Sequence, residues 1–507
     1  MSSERAKVKS SVLRFFKFCD DSADKWKCVC GKLLTQKKGT GWTNLVNHLK
    51  AQHLDWQMEQ NQAKMENFLD VVSKPTTSAE NVHSWLEWIC LGMKPFSFLT
   101  DPLTRKYSNL NSISINTFKK YMDSVVHHVE EEISAFLPDK FALILDGWTS
   151  KCTTHYLAVF ASFESNNSLG FSTVLLAFSP LLVETEFTAS AHKDFLDWML
   201  ENVYNKSMSN VVAIIADNAE VNKALSKQCG KPFVGCASHR FNLAVVKLMD
   251  PYKEILNKLN GLMGKLKTLK LSGELRKHSH LHPVQRNVTR WSSTASMVHR
   301  YFELKPHLVH FDNHSELIDY MPTARESSDL MELEKVLQQL ASVTKALQRE
   351  SLDLADVRML FDEVMSVHTD TQPYIGRDGN IVMCKHFENA VVKILHCQEH
   401  TLTTAEADAV ACLNLDVIVE PDSELDFASA VLKRRKFQSV SLYMDCRFIL
   451  PTSNVCERFF STAGYCLNDY RQNILPLNLE KQLFLKVNKA FWDARAVSKV
   501  ITKTNIQ

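Results

Sequence analysis

Two aspartates stand at the ends of short apolar runs, and they are the first residues in the chain whose placement suggests chemistry. Phe141-Ala142-Leu143-Ile144-Leu145 leads to Asp146-Gly147, and Val211-Val212-Ala213-Ile214-Ile215 leads within two residues to Asp217. Runs of this kind suit buried central strands. A sheet holds a carboxylate firmly at a strand's carboxyl end, while the following loop leaves it open to substrate. Phosphodiester cleavage by two divalent ions roughly 3.5–4 Å apart needs several carboxylates converging on one point. Asp146 and Asp217 supply two such anchors. On spacing alone an equal alternative stands, that each aspartate caps a helix or turn.

A softer ligand set lies near the N-terminus. Cys28-Val29-Cys30-Gly31, followed by His48 and His53, offers two thiolates and two imidazoles, the donors of a closed structural zinc site. Leu45, His48, Leu49 and His53 fit one helix face; the plain alternative is a small helical cap with free thiols. Residues 1–50 carry eleven Lys or Arg against four Asp or Glu, so this module presents cations suited to phosphates although the whole chain has a net charge of only +2. Farther on, Cys236 and His239 form a C-x-x-H pair without a second pair nearby, a weak metal signal, and a satisfied core histidine is an equal reading of His239. Arg290-Trp291 follows Lys265, Lys267, Lys270, Arg276 and Lys277. An indole can stack on an unpaired base while flanking cations hold phosphates; a buried tryptophan and a solvated helix face are the alternatives.

The elements that must position these residues follow from the pattern of apolar positions. Lys74-Pro75-Thr76-Thr77-Ser78 reads as a linker and Val82–Leu91 as a short helix. Phe118, Met122, Val125, Val126, Val129 and Ile133 recur at helical spacing, which predicts a helix from Thr117 to about Phe136 with Asn116 as its N-cap. Beyond Phe141–Leu145, strands are expected at Tyr156–Phe163, Phe171–Leu182, Val211–Ile215 and Pro232–Cys236, with helices around His192–Val203 and between Asp217 and Pro232. From Arg240 onward the pattern is mainly helical, interrupted by an acidic stretch at Glu420–Asp426 and a basic run at Lys433–Lys436. Val455–Asn488 reads as two helices broken at Pro476, with Leu475, Leu477, Leu479, Leu483, Phe484 and Val487 as an apolar face.

A chain of 507 residues exceeds what one hydrophobic core usually organises, so several modules are expected. No stretch approaches the roughly 18 apolar residues of a bilayer span, and the charged first residues lack an apolar signal core; the expectation is an intracellular protein without membrane contact. Its 13 scattered cysteines are expected to be buried thiols and a few metal ligands, not disulfides.

Four segments occur in order: Asp146-Gly147-Trp148-Thr149-Ser150; Cys236-Ala237-Ser238-His239 with Asn242-Leu243-Ala244; Arg290-Trp291-Ser292-Ser293-Thr294; and Ser453-Asn454-Val455-Cys456-Glu457-Arg458-Phe459-Phe460-Ser461. Together they resemble hAT-family DNA transposases. The N-terminal Cys/His set, with Trp26, Gly41, Trp42 and Leu45, resembles a BED finger, though its cysteines are spaced C-x-C where such fingers use C-x-x-C. The resemblance implies an α/β fold: an RNase H-like catalytic core interrupted by an all-helical insertion. The modules expected are a zinc finger at 1–70, a helical connector or DNA-binding region at 71–136, the first part of the core at 137–245, the insertion at 246–440, and closing core helices with a dimerisation region at 441–507. It also implies a catalytic triad of Asp146, Asp217 and Glu457 holding Mg2+ or Mn2+, with Zn2+ on Cys28, Cys30, His48 and His53. Trp291 would manage a flipped base beside Arg290, His239 would support the site near the scissile phosphate, and Lys265, Lys267 and Lys270 would meet DNA. The function implied is a nuclear transposase, a homo-oligomer on transposon ends and target DNA. A domesticated, non-catalytic DNA-binding regulator is the rival, and an RNase H-like nuclease acting on RNA is a third reading with less behind it.

Overall fold

The computed structural model describes residues 16–18, 25–28, 30–35, 43–52, 76–181, 187–287, 290–311, 313–415, 441–467, 471 and 474–506. Gly41, Trp42, His53, the Lys74-Pro75 half of the expected linker, the acidic stretch Glu420–Asp426 and the basic run Lys433–Lys436 lie outside these residues. The described chain is mixed α/β.

At the N-terminal end, strands β1 (Phe16–Phe18), β2 (Lys25–Cys28) and β3 (Leu33–Thr35) form an antiparallel sheet in chain order, followed by helix α1 (Thr43–Gln52). Phe16, Cys28, Leu45 and Leu49 make its small separate core. Helix α2 spans Thr77–Leu91, starting five residues before the apolar pattern does. Thr76 caps it by accepting from the Ala79 N–H, so the last residues of the expected linker are already helical. Helix α3 spans Ile115–Phe136, and its N-cap is Ser114, not Asn116: the Ser114 hydroxyl accepts from the Thr117 N–H at 3.0 Å. The six apolar residues expected on its inner face are all buried.

The central sheet contains β4 (Phe141–Thr149), β5 (His155–Glu164), β6 (Phe171–Pro180), β7 (Val211–Ala216) and β8 (Phe233–Gly235), in the spatial order β6-β5-β4-β7-β8. The first three form an antiparallel meander, while β7 runs parallel to β4 and β8 parallel to β7. Helix α4 (Ala189–Asn202) connects β6 to β7, and α5 (Glu220–Cys229) connects β7 to β8. The chain-order expectation of three strands, a helix, a strand, a helix and a strand therefore describes this region, with one difference. Strand β4 does not stop at Asp146 but continues to Thr149, because Gly147–Thr149 keep pairing with His155–Leu157 of β5. The apolar run marked where burial ends, not where the strand ends.

The rest is helical: α6 (Ala237–Leu248), α7 (Lys253–Leu266), α8 (Leu269–His278), α9 (Trp291–Leu304), α10 (Ala324–Leu347), α11 (Leu354–Val367), α12 (Lys385–Leu395), α13 (Asn454–Cys466), α14 (Pro476–Val487) and α15 (Ala494–Ile506), with shorter helical turns between. Buried side chains divide into two large cores. One joins the sheet to α2, α3, α12 and the closing helices; the other is all-helical and runs from Ala237 to Ile375. A buried ion pair bridges them, Arg240 of α6 donating to Glu388 of α12 at 2.8 Å.

Pro476 starts α14 at its first turn, where its missing N–H costs nothing, so it begins a helix instead of breaking one. Of the expected apolar face, Leu479, Leu483 and Phe484 are buried, while Leu475, Leu477 and Val487 are exposed. The exposed three lie at the helix ends, turned off the line that meets the sheet. After α14 the chain seals the sheet's outer edge. The Asn488 amide donates to Leu175 O at 2.9 Å and accepts from Leu175 N at 3.2 Å, and the Tyr204 hydroxyl donates to Leu176 O at 2.7 Å. These side chains occupy β6 backbone groups beside its register shift, where an edge strand would otherwise offer them to another chain.

Candidate functional site at the carboxyl ends of the parallel strands

The register of the parallel pair brings Asp146 and Asp217 to one level. Ile144 of β4 lies opposite Ile215 of β7, and each aspartate follows its isoleucine by two residues, hence on the same face of the sheet. Asp217 sits just past the end of β7. There Oδ1 accepts from the Ala219 N–H at 3.1 Å and from the Asn222 amide at 2.6 Å, so α5 holds the carboxylate in place. Asp146 accepts from the Gly147 N–H at 2.9 Å.

Helix α13 delivers the third acid. Its inner side packs across the sheet: Cys456 Sγ lies 4.0 Å from the Ile144 carbonyl oxygen, and the Phe460 ring stacks on Trp148 at 6.1 Å. Glu457 follows Cys456 on this helix, near enough to the sheet for its charge to act on Asp146. Electrostatics agree. Burial first, then the Asp217 charge, pushes the Asp146 carboxyl up to about 7; Glu457 adds to the effect, while the Gly147 N–H and Arg290 oppose it.

Arg290 closes the constellation from the helical core. Its guanidinium donates to Glu457 Oε2 at 3.0 Å. The adjacent Trp291 is buried at 4% exposure, edge-on to Phe241, with its backbone N–H donating to Asn242 Oδ1 at 3.1 Å. Ser293 Oγ lies 2.8 Å from Arg290 O and fixes the turn before α9. The indole therefore offers no open face to a base here: the first residue of α9 must fill the core that α6 leaves, and Arg290 is the member of the pair that faces out.

The four segments singled out in the sequence thus meet. Trp148 touches Phe460, Cys236 Sγ accepts from the Ser453 N–H at 3.4 Å, Asn242 holds Trp291, and Arg290 reaches Glu457. Cys236 is buried packing. His239, in the first turn of α6, is partly buried. The lysines do not form one free cationic face. Lys265 lies over the Tyr320 ring at 5.6 Å, Lys270 is close enough to lower the Glu316 carboxyl, and Lys277 pairs with Glu274 at 2.7 Å. Lys267 is exposed. Nothing in the spacing of residues points to the pairing of Arg290 with Glu457, since 167 residues separate them. A cavity of about 540 Å³ opens along the other flank of α13, lined by Phe160, Phe171, Arg349, Arg458 and Lys486 among others; none of the three acids lines it.

The N-terminal cluster is tighter. Ligand atoms of Cys28, Cys30 and His48 all lie within 4.8 Å of one another, with Cys30 Sγ 3.3 Å from His48 Nε2. A hairpin turn produces this from C-x-C spacing. Gly31 takes φ +88° and donates to Cys28 O at 2.8 Å, so the chain reverses immediately after Cys30. Hydrogen bonding from the Lys32 backbone is the main influence that pulls the Cys30 thiol below its usual range. These three residues could hold a metal such as zinc. Among the described residues no other three His, Cys, Asp or Glu side chains gather this closely, the three carboxylates included.

No protein-family model matches the chain, and no curated protein matches it.

Proposed function

We propose that the chain is a metal-dependent DNA-cleaving and DNA-joining enzyme of the hAT transposase kind, with Asp146, Asp217 and Glu457 as its catalytic acids. The observation that carries this reading is the meeting of four distant sequence segments around these carboxylates, closed by the Arg290–Glu457 pair. The sheet order, a three-stranded antiparallel meander continued by two parallel strands, is the order an RNase H-like core requires, and it supports that finer description. An all-helical core between β8 and α13 supports the insertion.

The acids supply oxygen donors alone, the chemistry that hard divalent cations take, so Mg2+ or Mn2+ fits this set and zinc fits Cys28, Cys30 and His48. Bound there, divalent ions activate a nucleophilic oxygen and stabilise the leaving one. The chain's own residues do the rest. Asn222 and the Ala219 N–H fix Asp217, α13 carries Glu457 to the sheet, and Arg290 presents a guanidinium to backbone phosphates. Water attacks first; a 3′ hydroxyl on the flanking DNA then forms a hairpin, and the element's 3′ hydroxyl attacks target DNA. The N-terminal unit would bind the element's ends. Action on chromosomal DNA carries with it a nuclear location, and paired ends carry with them self-association.

Glu457 is ion-paired with Arg290 in this conformation, an arrangement equally compatible with the rival, a DNA-binding regulator that kept the fold. Incubation of folded protein with duplex DNA carrying the element's terminal repeats separates the two. Cleavage with Mg2+ that stops on chelation supports the enzyme; intact DNA under both conditions, with binding retained, supports the regulator.

A further inference from the structure

Arg290 is a cation placed among acids, on a backbone that cannot follow its side chain. Trp291 is locked in the helical core by Phe241 and by the Asn242 bond, and Ser293 holds the Arg290 carbonyl. The Arg290 side chain is 66% exposed and that of its partner Glu457 is 39% exposed. An ion pair this open to water contributes little and exchanges readily. Arginine is also always charged and is built to grip two oxygens of a carboxylate or of a phosphate with the same fork.

We propose that Arg290 is an exchangeable internal counter-ion: it holds Glu457 while the acidic site lacks a divalent cation, and it passes to a DNA phosphate when Glu457 turns to that cation. This rests on the metal-dependent reading of the three acids and adds to it a coupling between loading the site and gripping DNA. Two ligands of opposite charge, a divalent cation and a phosphate, replace one internal ion pair by two external ones. Each therefore favours the other's binding, as linkage requires. Arg290 is a positioning residue on this account, because it acts on the cation through Glu457.

The test is Mn2+ binding to zinc-loaded, full-length protein, followed by electron paramagnetic resonance without DNA, alongside metal-free binding of a duplex oligonucleotide followed by fluorescence anisotropy. Removal of a competing cation makes Arg290→Gln bind Mn2+ roughly two- to five-fold more tightly than the wild type. Glu457→Gln loses Mn2+ affinity yet binds the duplex more tightly without metal, because Arg290 is released. Arg290→Gln/Glu457→Gln loses that gain, a cross-effect that a merely structural role for Arg290 does not produce. Unchanged or weaker Mn2+ affinity in Arg290→Gln, while Asp217→Asn removes Mn2+ binding, overturns the exchange and leaves the metal site standing. Equal Mn2+ binding by wild type and Asp217→Asn overturns the metal site and the exchange with it.

Discussion

The N-terminal Cys/His cluster and the carboxylate site are two candidate metal sites built on opposite plans. Cys28, Cys30 and His48 come from one hairpin and the next helix, and their donor atoms already lie within 4.8 Å of one another. Asp146, Asp217 and Glu457 come from a strand, the turn after a second strand and a helix, spread across 312 residues of sequence counted from Asp146 to Glu457 inclusive, and are not drawn together that closely. Charge explains the difference. An imidazole and two thiols carry no obligatory negative charge and can pack without a cation, whereas three carboxylates repel, and the chain answers with partial burial of Asp146, a bracing amide at Asp217 and a guanidinium at Glu457. Local structure can preform a soft-ligand site; an acidic one needs rigid tertiary struts and a counter-charge.

The largest effect expected from breaking this contrast is on the acids. Asp217→Asn leaves the Asn222 bond possible but removes the charge, and cleavage of terminal-repeat DNA is expected to fall by at least about three orders of magnitude while binding through the N-terminal unit persists. Normal turnover in that variant would remove Asp217 from the chemistry. At the other site, Cys28→Ser or His48→Ala is expected to abolish zinc binding measured by mass spectrometry of the metal. The β1–β3 sheet should then lose its protection from proteolysis, with the central sheet unaffected. Retention of one zinc per chain in both variants would show that these residues are not its ligands.

A third test concerns the struts. Trp291 fills the helical core, so Trp291→Ala is expected to cost about 3–5 kcal/mol of stability, read as a lowered melting temperature. A variant as stable as the wild type would mean that the indole is not core, and would restore it as a base-stacking surface. The smallest effect sharpens the comparison with a carboxylate that has no catalytic assignment. Glu480 is pushed up to about 7, chiefly by burial and further by Glu130, although the Ser179 hydroxyl donates to it. The folded chain therefore keeps a proton that the unfolded chain releases near its ordinary value of 4.5. Folding takes up a proton between those values, so this group's contribution falls as pH rises from 4.5 to about 7 and stays low above it. Glu480→Gln is expected to stabilise the protein by roughly 1–3 kcal/mol at pH 8 and to change little at pH 4. Equal effects at the two pH values would rule out this titration.

Much of the carboxylate site was legible because buried strands have a plain signature. The apolar runs before Asp146 and Asp217 mark β4 and β7, and two-residue spacing from paired isoleucines puts both acids on one face. Glu457 had no such signature. An acid in the first turn of an amphipathic helix looks the same whether it faces solvent or a site, and only the resemblance of its flanking residues singled it out. Trp291 was ambiguous for a related reason, since a large aromatic beside an arginine suits both a core and a stacking surface. Packing on Phe241 resolved it in favour of the core.

Composition and spacing alone determined the strand–helix order, the two aspartates, and a thiol–imidazole set within one short segment, because those depend on burial periodicity and on neighbours close along the chain. Tertiary structure decided that Arg290 pairs with Glu457, that Arg290 faces out while Trp291 faces in, and that Asn488 and Tyr204 close the sheet's edge. Those contacts join residues far apart in sequence, where a side chain's partner is fixed by how whole helices pack and not by anything its own neighbours encode.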